Sequence, residues 1–155
     1  MIVLDSDILI DVIDQRDPSF GFVAELQAEG ELIGTTSINA AEILRGVPPR
    51  SRASVRAAQV LAALQELPFG PAASRRFGAL MHAADRAGAS LPAVDGLIAA
   101  ATLESGGRLV TCNVRDFGRV AGLDVIVPGG RAPGRHRPRS LDERRARKDS
   151  AKDAE

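Results

Sequence analysis

Short apolar runs alternate with longer segments of helical periodicity along the chain, from its start to residue 127. The alternation of strand-like and helix-like segments indicates an α/β fold with a parallel sheet. Pro68 restricts one of the strand-like runs to the edge of that sheet, because proline has no N–H to donate to a neighbouring strand. The five runs that predict strands are Ile2–Leu4, 31–35, 67–69, 108–111 and 123–127.

The segments between these runs predict helices. The clearest lies at residues 51–66, where Ala57, Val60, Leu61 and Leu64 recur at the spacing of one helical face. The other expected helices follow Asp5 directly or cover residues 17–30, 36–46, 72–87 and 93–104, with a turn or short helix at 113–120.

The composition changes sharply after Pro128. Gly, Pro and Arg dominate up to Pro138 without apolar periodicity, which is typical of a flexible linker. Ser140 and Glu143 have the spacing of a capping box, so a short, highly charged helix is an option from residue 141 to about 154. We expect a domain at 1–127 and a tail at 128–155.

The net charge of zero hides an asymmetry between these two parts. Residues 1–127 contain 11 Arg and no Lys against 15 Asp and Glu, whereas residues 128–155 contain 9 Lys and Arg against 5 acids. An acidic body with a basic tail indicates two tasks or two partners, although such a mixed-charge tail is most often simply solvated.

Composition also excludes several classes of protein. A chain of 155 residues suits one domain, and no apolar stretch approaches the roughly 18 residues of a membrane span. The N-terminus does not resemble a signal peptide, and Cys112 is the only cysteine, so we expect a cytoplasmic protein without an internal disulfide. With no Trp, no Tyr and five Phe, a base-stacking platform for single strands is not expected.

Four carboxylates occur at equivalent points of the expected fold. Asp5, Glu42, Asp95 and Asp116 each follow a strand or lie in the first turns of the next helix. In a parallel sheet these points share the edge at which ligands bind. Carboxylates gathered there repel unless a divalent cation neutralises them, and hard oxygen ligands suit Mg²⁺ or Mn²⁺. Such an ion can activate water and stabilise the displacement at a phosphate.

Each of these acids also fits an ordinary structural role. Asp5 fits a helix cap, Asp95 an acid favoured by the dipole of a helix N-terminus, and Asp116 a turn. Glu42 lies three residues after Asn39 and three before Arg45, spacings that suit a capping box or a surface pair. The argument for a site therefore depends on all four acids together.

Asp7 raises a different possibility. Asp5 and Asp7 after an apolar strand resemble the nucleophile and general acid of haloacid-dehalogenase-like phosphatases. That chemistry requires a lysine to balance the phosphoaspartate, and residues 1–127 contain none; Lys148 and Lys152 lie in the tail. Arginine has a different donor geometry and would replace it imperfectly.

Four segments, in order, resemble the motifs of PIN domains. The resemblance covers about residues 1–127, and the small size with the short N-terminus is similar to the toxin branch, the VapC proteins of VapBC toxin–antitoxin modules. Two departures occur: Asp7 stands where many members have Asn, and Gly96 where Ala or another small apolar residue is common. The segments are Val3-Leu4-Asp5-Ser6-Asp7-Ile8-Leu9-Ile10-Asp11, Thr36-Ser37-Ile38-Asn39-Ala40-Ala41-Glu42-Ile43-Leu44-Arg45-Gly46, Asp95-Gly96-Leu97-Ile98-Ala99-Ala100-Ala101 and Leu109-Val110-Thr111-Cys112-Asn113-Val114-Arg115-Asp116-Phe117.

The resemblance implies a three-layer α/β/α fold with sheet order 3-2-1-4-5 and an endoribonuclease dependent on Mg²⁺ or Mn²⁺. It implies that the ion would be held by Asp5, Asp95 and Asp116, directly or through water, while Glu42 orients a metal-bound water or binds a second ion. Thr111 and Asn113 would support the cluster by hydrogen bonds, and Asp7 would join it or cap the helix.

The same resemblance implies partners. These are an RNA substrate, a VapB-type antitoxin that blocks the active site, and a second copy in a homodimer. A housekeeping PIN ribonuclease in RNA processing and a non-catalytic PIN-like binding module remain alternatives. Arg45 and Arg50, which flank the end of the Glu42 helix, are the first candidates for phosphate contacts, ahead of Arg16, Arg52, Arg56 and Arg115.

Overall fold

The computed structural model describes residues 1–129, so all but the first two residues of the tail expected at 128–155 lie outside the described residues. Strands and helices alternate as the sequence predicts. The strands are β1 (Ile2–Leu4), β2 (Ile33–Thr36), β3 (Gln65–Leu67), β4 (Arg108–Val110) and β5 (Val125–Ile126). The helices are α1 (Ser6–Asp14), α2 (Ser19–Ala28), α3 (Ser37–Gly46), α4 (Arg52–Ala62), α5 (Pro71–Arg86), α6 (Ala93–Glu104) and α7 (Val114–Phe117).

The five strands form one parallel sheet in the order β3-β2-β1-β4-β5, which confirms the expected fold class and strand order. β1 is the central strand, and Leu4 lies opposite Thr35 of β2 and Val110 of β4. The residues that follow Leu4, Thr35 and Val110 therefore emerge side by side at one edge of the sheet. This edge lies where the strand order reverses, the usual ligand position in open α/β sheets.

Helices cover both faces of the sheet. Successive side chains of β1 point to opposite faces, so Ile2 and Leu4 enter one apolar core and Val3 enters the other. All three are completely buried, which explains why the strand is apolar throughout rather than alternating. The first core includes residues of α1 to α4, and the second includes residues of α5 to α7. None of the described helices is both long and apolar enough to span a membrane.

The prediction for residues 51–69 was wrong in its details. The helix ends at Ala62 rather than residue 66, and the edge strand covers Gln65–Leu67 rather than 67–69. Gln65 and Leu67 pair with Gly34 and Thr36 of β2, and pairing must stop before Pro68 because that residue has no N–H. The apolar periodicity of this segment continues through Gln65 and Glu66, so it could not show that these two residues form a strand paired with β2.

Candidate active site

Asp5 follows the last residue of the central strand and begins α1. Its carboxylate is 7% exposed and accepts three hydrogen bonds. Oδ1 accepts from the backbone N–H of Ser6 at 2.8 Å and from Nδ2 of Asn39 at 2.9 Å, and Oδ2 accepts from the Thr111 hydroxyl at 2.7 Å. Asp5 is thus the N-cap of α1, as the ordinary interpretation predicts, and is also the most buried acid of the site.

The burial of Asp5 has an electrostatic consequence. Burial raises the pKa of the Asp5 carboxyl to about 6, against the opposing effect of the hydrogen bonds from Thr111, Ser6 and Asn39, and the nearby charge of Asp7 adds to the rise. Among the described residues, no arginine forms an ion pair with Asp5. Its negative charge is therefore stabilised only by neutral donors, which leaves it suited to a cation.

Asn39 positions Asp5 from the α3 side. It is completely buried, and its Nδ2 also donates to the Ser6 hydroxyl at 2.9 Å. Its own orientation is set by Thr36, the N-cap of α3, whose hydroxyl donates to Asn39 Oδ1 at 2.6 Å and accepts from the Asn39 N–H at 3.1 Å. Asn39 and Ser6 received no site role in the sequence analysis. For Asn39 a signal was available, because a polar asparagine lies on the apolar face of the predicted helix.

Glu42 lies one turn further along α3 and is joined to the same network. Its Oε2 accepts from the Ser6 hydroxyl at 2.5 Å. Neither ordinary role holds within residues 1–129, because Thr36 and not Asn39 caps the helix, and no ion pair joins Glu42 to Arg45. Ser6 therefore connects the carboxylate of Glu42 to the amide that holds Asp5.

The loop after β4 supports the acids from the opposite side. Thr111 is completely buried; its hydroxyl donates to Asp5 and accepts from the Asn113 N–H at 3.0 Å. The Asn113 side chain donates from Nδ2 to Oδ2 of Asp95 at 3.2 Å. Thr111 and Asn113 therefore connect Asp5 with Asp95 through hydrogen bonds.

Asp95 and Asp116 share the electrostatic environment of this edge. Burial raises the pKa of Asp95, the charges of Asp116 and Glu42 raise it further, and the bond from Asn113 acts in the opposite direction. Glu42 of α3 and Asp116 of α7 thus both act on Asp95 of α6. Asp5, which follows β1, is connected to Asp95 through the hydrogen bonds of Thr111 and Asn113.

The donor set fits a hard divalent cation. The acids present carboxylate oxygens beside neutral hydroxyl and amide groups, the chemistry that Mg²⁺ and Mn²⁺ prefer. Within residues 1–129, however, no three acidic, His or Cys side chains already stand close enough to surround one ion. An ion bound here would therefore have to draw these acids closer together than they stand, while Asp5 and Asp95 keep their neutral donors.

Asp7 is not free to act as a general acid. Its Oδ1 accepts from the N–H of Ile8 at 2.7 Å, and its Oδ2 accepts from the N–H of Cys112 at 2.8 Å. The side chain therefore links the start of α1 to the loop after β4. This supporting geometry disfavours the phosphatase interpretation, which needs a protonated, substrate-facing Asp7.

All six candidate RNA-binding arginines are exposed, and within residues 1–129 only two of them, Arg16 and Arg56, form ion pairs. Arg45 and Arg50 are exposed, and Arg45 lines a groove of about 440 Å³ that also contains Ser6 and Glu42. Arg16 and Arg56 instead pair with acids of α1, at Asp11 or Asp14. Arg45 therefore shares a groove with Glu42, one of the four acids.

These features define an α/β/α protein with an acidic site at the carboxyl edge of a parallel sheet. The PIN domain family model matches residues 2–123, and the chain belongs to this family. PIN domains are nucleases and generally use divalent metal ions.

Solved structures share this fold at low sequence identity. A chain of VapBC2 from Rickettsia felis, bound to a promoter DNA fragment, is 23% identical, with a TM-score of 0.74 over 82% of this chain and 98% of that one. VapBC-1 from nontypeable Haemophilus influenzae is 20% identical, with a TM-score of 0.73 over 84% and 100%. FitAcB from Neisseria gonorrhoeae is 21% identical, with a TM-score of 0.69 over 84% and 100%. No curated protein matches the sequence.

Proposed function

We propose that the protein is the toxin of a VapBC-type toxin–antitoxin module and acts as an endoribonuclease dependent on Mg²⁺ or Mn²⁺. The observation that carries the chemistry is the buried Asp5 carboxylate, held by Asn39 and Thr111 without a basic partner in the described residues. The toxin assignment is supported by the similar structures, several of which are VapBC or other toxin–antitoxin complexes.

In this proposal Asp5, Asp95 and Asp116 hold the divalent ion. When bound, the ion lowers the pKa of water and stabilises the charge that develops on the scissile phosphate. Glu42 orients the attacking water and accepts its proton, and the Ser6 hydroxyl fixes the Glu42 carboxylate. Asn39, Thr111 and Asn113 keep the acids in place through the hydrogen bonds already described.

The proposal extends to partners and setting. Arg45 and Arg50 contact RNA phosphates, and a VapB-type antitoxin covers the acids to suppress cleavage. The protein acts in the cytoplasm as a homodimer. Residues 1–127 form the nuclease domain, and residues 128–155 form an appended basic tail.

The direct test is RNA cleavage by purified protein with Mg²⁺ or Mn²⁺. Asp5→Asn and Asp95→Asn keep the size of the side chain but remove a charged ligand, so we expect cleavage to fall by at least about 100-fold. Asp124→Asn, an exposed acid that precedes β5 at the opposite end of the sheet, is the matched control. Full cleavage by both site variants would contradict the mechanism.

A second comparison separates a toxin from a housekeeping nuclease. Expression of the wild type should arrest growth, and Asp95→Asn should relieve the arrest. A small gene for a DNA-binding antitoxin beside this one should restore growth when co-expressed. Cleavage without growth arrest would favour a housekeeping role, whereas hydrolysis of a chromogenic phosphomonoester that Asp5→Asn blocks would favour the phosphatase.

A further inference from the structure

A small cavity opens directly beside the acidic site. It has a volume of about 240 Å³ and lies between the C-terminal part of α5, the loop that follows it, and α7 with its next turn. Asp116 lines this cavity and also acts electrostatically on Asp95. Asp116 therefore belongs both to the acidic cluster and to the wall of this cavity. Its walls include Leu80, Ala83, Leu91, Asp116, Arg119 and Ala121.

The walls of this cavity are mostly apolar. Alanine, leucine and valine side chains form most of the lining, and Asp116 and Arg119 are the only charged residues in it. Ser90 adds one neutral hydroxyl. Such a lining accommodates a flat group with apolar faces and a polar edge. Arg119 is exposed and supplies a positive charge beside an otherwise acidic site.

We propose that this cavity binds one unpaired nucleobase of the RNA, next to the phosphate held at the acids. The inference rests on the proposed ribonuclease function and names a specificity-determining subsite for it. Proteins that read RNA sequence commonly splay a base out of the strand into a pocket and hydrogen-bond its edge. The cavity is smaller than the 300–1,000 Å³ typical of drug-sized ligands, which suits a single ring system.

Each charged residue of the lining has a place in this arrangement. Asp116 joins the subsite to the acids, and Arg119 pairs with the phosphate of the inserted nucleotide. The surrounding alanines leave room for the base itself. The scarcity of aromatic residues excludes a continuous stacking platform but does not affect a pocket that holds one base between aliphatic walls.

The test fills the cavity without touching the acids. Ala83 lies on α5, is exposed at the mouth of the cavity, and would carry a larger side chain into it as Ala83→Leu. Ala79→Leu, one turn earlier on the same helix and outside this cavity, is the matched control. Ala121→Leu fills the cavity from the opposite wall and replaces Ala83→Leu if thermal denaturation shows that the first variant misfolds.

The measurement uses single-stranded RNA oligonucleotides with randomised sequence, followed by sequencing of the product ends. We expect the wild type and Ala79→Leu to show a nucleotide preference at one position beside the cut, and Ala83→Leu to lose it. Cleavage of the preferred RNA by Ala83→Leu should fall roughly 10- to 100-fold, the range expected for loss of one base contact. An abasic nucleotide at that position should reduce wild-type cleavage similarly, with no further loss in Ala83→Leu.

The outcomes separate this inference from the function on which it rests. RNA cleavage by the wild type with the same sequence profile in Ala83→Leu and Ala79→Leu overturns the base pocket and leaves the ribonuclease intact. The pocket is also overturned if Ala83→Leu weakens only antitoxin binding, since the occupant would then be a protein side chain. Absence of metal-dependent RNA cleavage by the wild type contradicts the proposed function and the subsite with it.

Discussion

Two opposing effects act on the buried carboxylate of Asp5: burial disfavours its charge, and hydrogen bonds stabilise it. Asp5 is held by three neutral donors, yet burial still raises its pKa to about 6. Hydrogen bonds compensate for part of the lost hydration, but no cation of the described residues pairs with it. The protein thus keeps an acid where its charged form is costly, the pattern expected at functional sites.

This shift predicts how stability depends on pH without metal. The Asp5 pKa rises from 3.8 to about 6 on folding, so the folded state binds the proton more tightly than the unfolded state. Stability from this group is present below about pH 4 and is lost as pH rises toward 6. At pH 7.5 in EDTA, Asp5→Asn should therefore exceed the wild type in unfolding free energy by roughly 2–3 kcal/mol, with little difference at pH 3.5.

Urea unfolding at several pH values in EDTA measures this difference, with Asp124→Asn as the exposed control. The control should follow the wild type at every pH. A gap between Asp5→Asn and the wild type that does not change with pH would mean that hydrogen bonding, and not ionisation, decides the stability of this position.

Asn39 offers a second prediction at the scale of one residue. Asn39→Ala removes the donors to Asp5 and Ser6 and leaves the Thr36 hydroxyl without its acceptor. We expect a loss of about 1–3 kcal/mol in stability and a fall of about 10- to 100-fold in kcat. Steady-state RNA cleavage checks this at a temperature where the variant remains folded. An unchanged kcat in that folded variant would show that Asn39 has only a structural role.

β2 pairs closely with β3 because Gly34 of β2 has no side chain. A Cβ on Gly34 would lie 2.4 Å from the backbone carbonyl oxygen of Gln65, and a backbone atom of the neighbouring strand cannot easily move away. Gly34→Ala should therefore destabilise the protein by about 2–3 kcal/mol through overpacking. Because Thr36 ends β2 and Asn39 lies in the helix that follows it, RNA cleavage should decline together with stability.

Gly78 provides the matched control for this substitution. It lies inside α5, and a Cβ there would meet nothing within 4 Å. Gly78→Ala should raise the unfolding free energy by about 0.5–1 kcal/mol, because alanine has the higher helix propensity. Thermal or urea unfolding of both variants tests the pair, and equal effects would show that steric space does not distinguish them.

Gly96 lies where α6 packs against α5. A glycine near the start of α6 lowers the stability of the helix relative to alanine. In the fold, a Cβ at Gly96 would lie 2.8 Å from Met81 Sδ and 3.1 Å from Phe77 Cε2. Glycine therefore allows α5 to pack closely against α6 beside Asp95. This close packing offsets the lower helix propensity of glycine.

At the scale of the whole molecule, the divalent ion should act as a structural ligand as well as a cofactor. Asp5 at the start of α1 and acids of α6 and α7 would bind it together, so the folded state gains stability that the unfolded chain cannot. A saturating concentration of Mg²⁺ or Mn²⁺, about 100-fold above Kd, should raise the wild-type Tm at pH 7.5 by roughly 5–10 °C.

Differential scanning calorimetry with and without EDTA measures this shift. Asp5→Asn and Asp95→Asn should lose most of it, whereas Asp124→Asn should keep it. A full metal-dependent shift in both site variants would place the ion elsewhere in the protein, independently of whether RNA is cleaved.

The alternation of apolar and helical segments predicted the α/β class, the central strand Ile2–Leu4 and the span of α6. The PIN-like motifs predicted the strand order. These features depend on short-range periodicity or on motifs that the sequence displays directly. The boundary between α4 and β3 was not predictable in this way, because Gln65 and Glu66 join a strand only through their pairing with β2.

The sequence by itself determined which residues carry acids at strand ends and which faces of the strands and helices are apolar. Only the tertiary structure decided that Asn39 and Ser6 connect Asp5 with Glu42, that Asp7 is bound by two backbone N–H groups, and that Asp116 borders an apolar cavity. The physical reason is that hydrogen bonds and burial join residues from different elements. Their distances and their shifted pKa values arise only when those elements pack together.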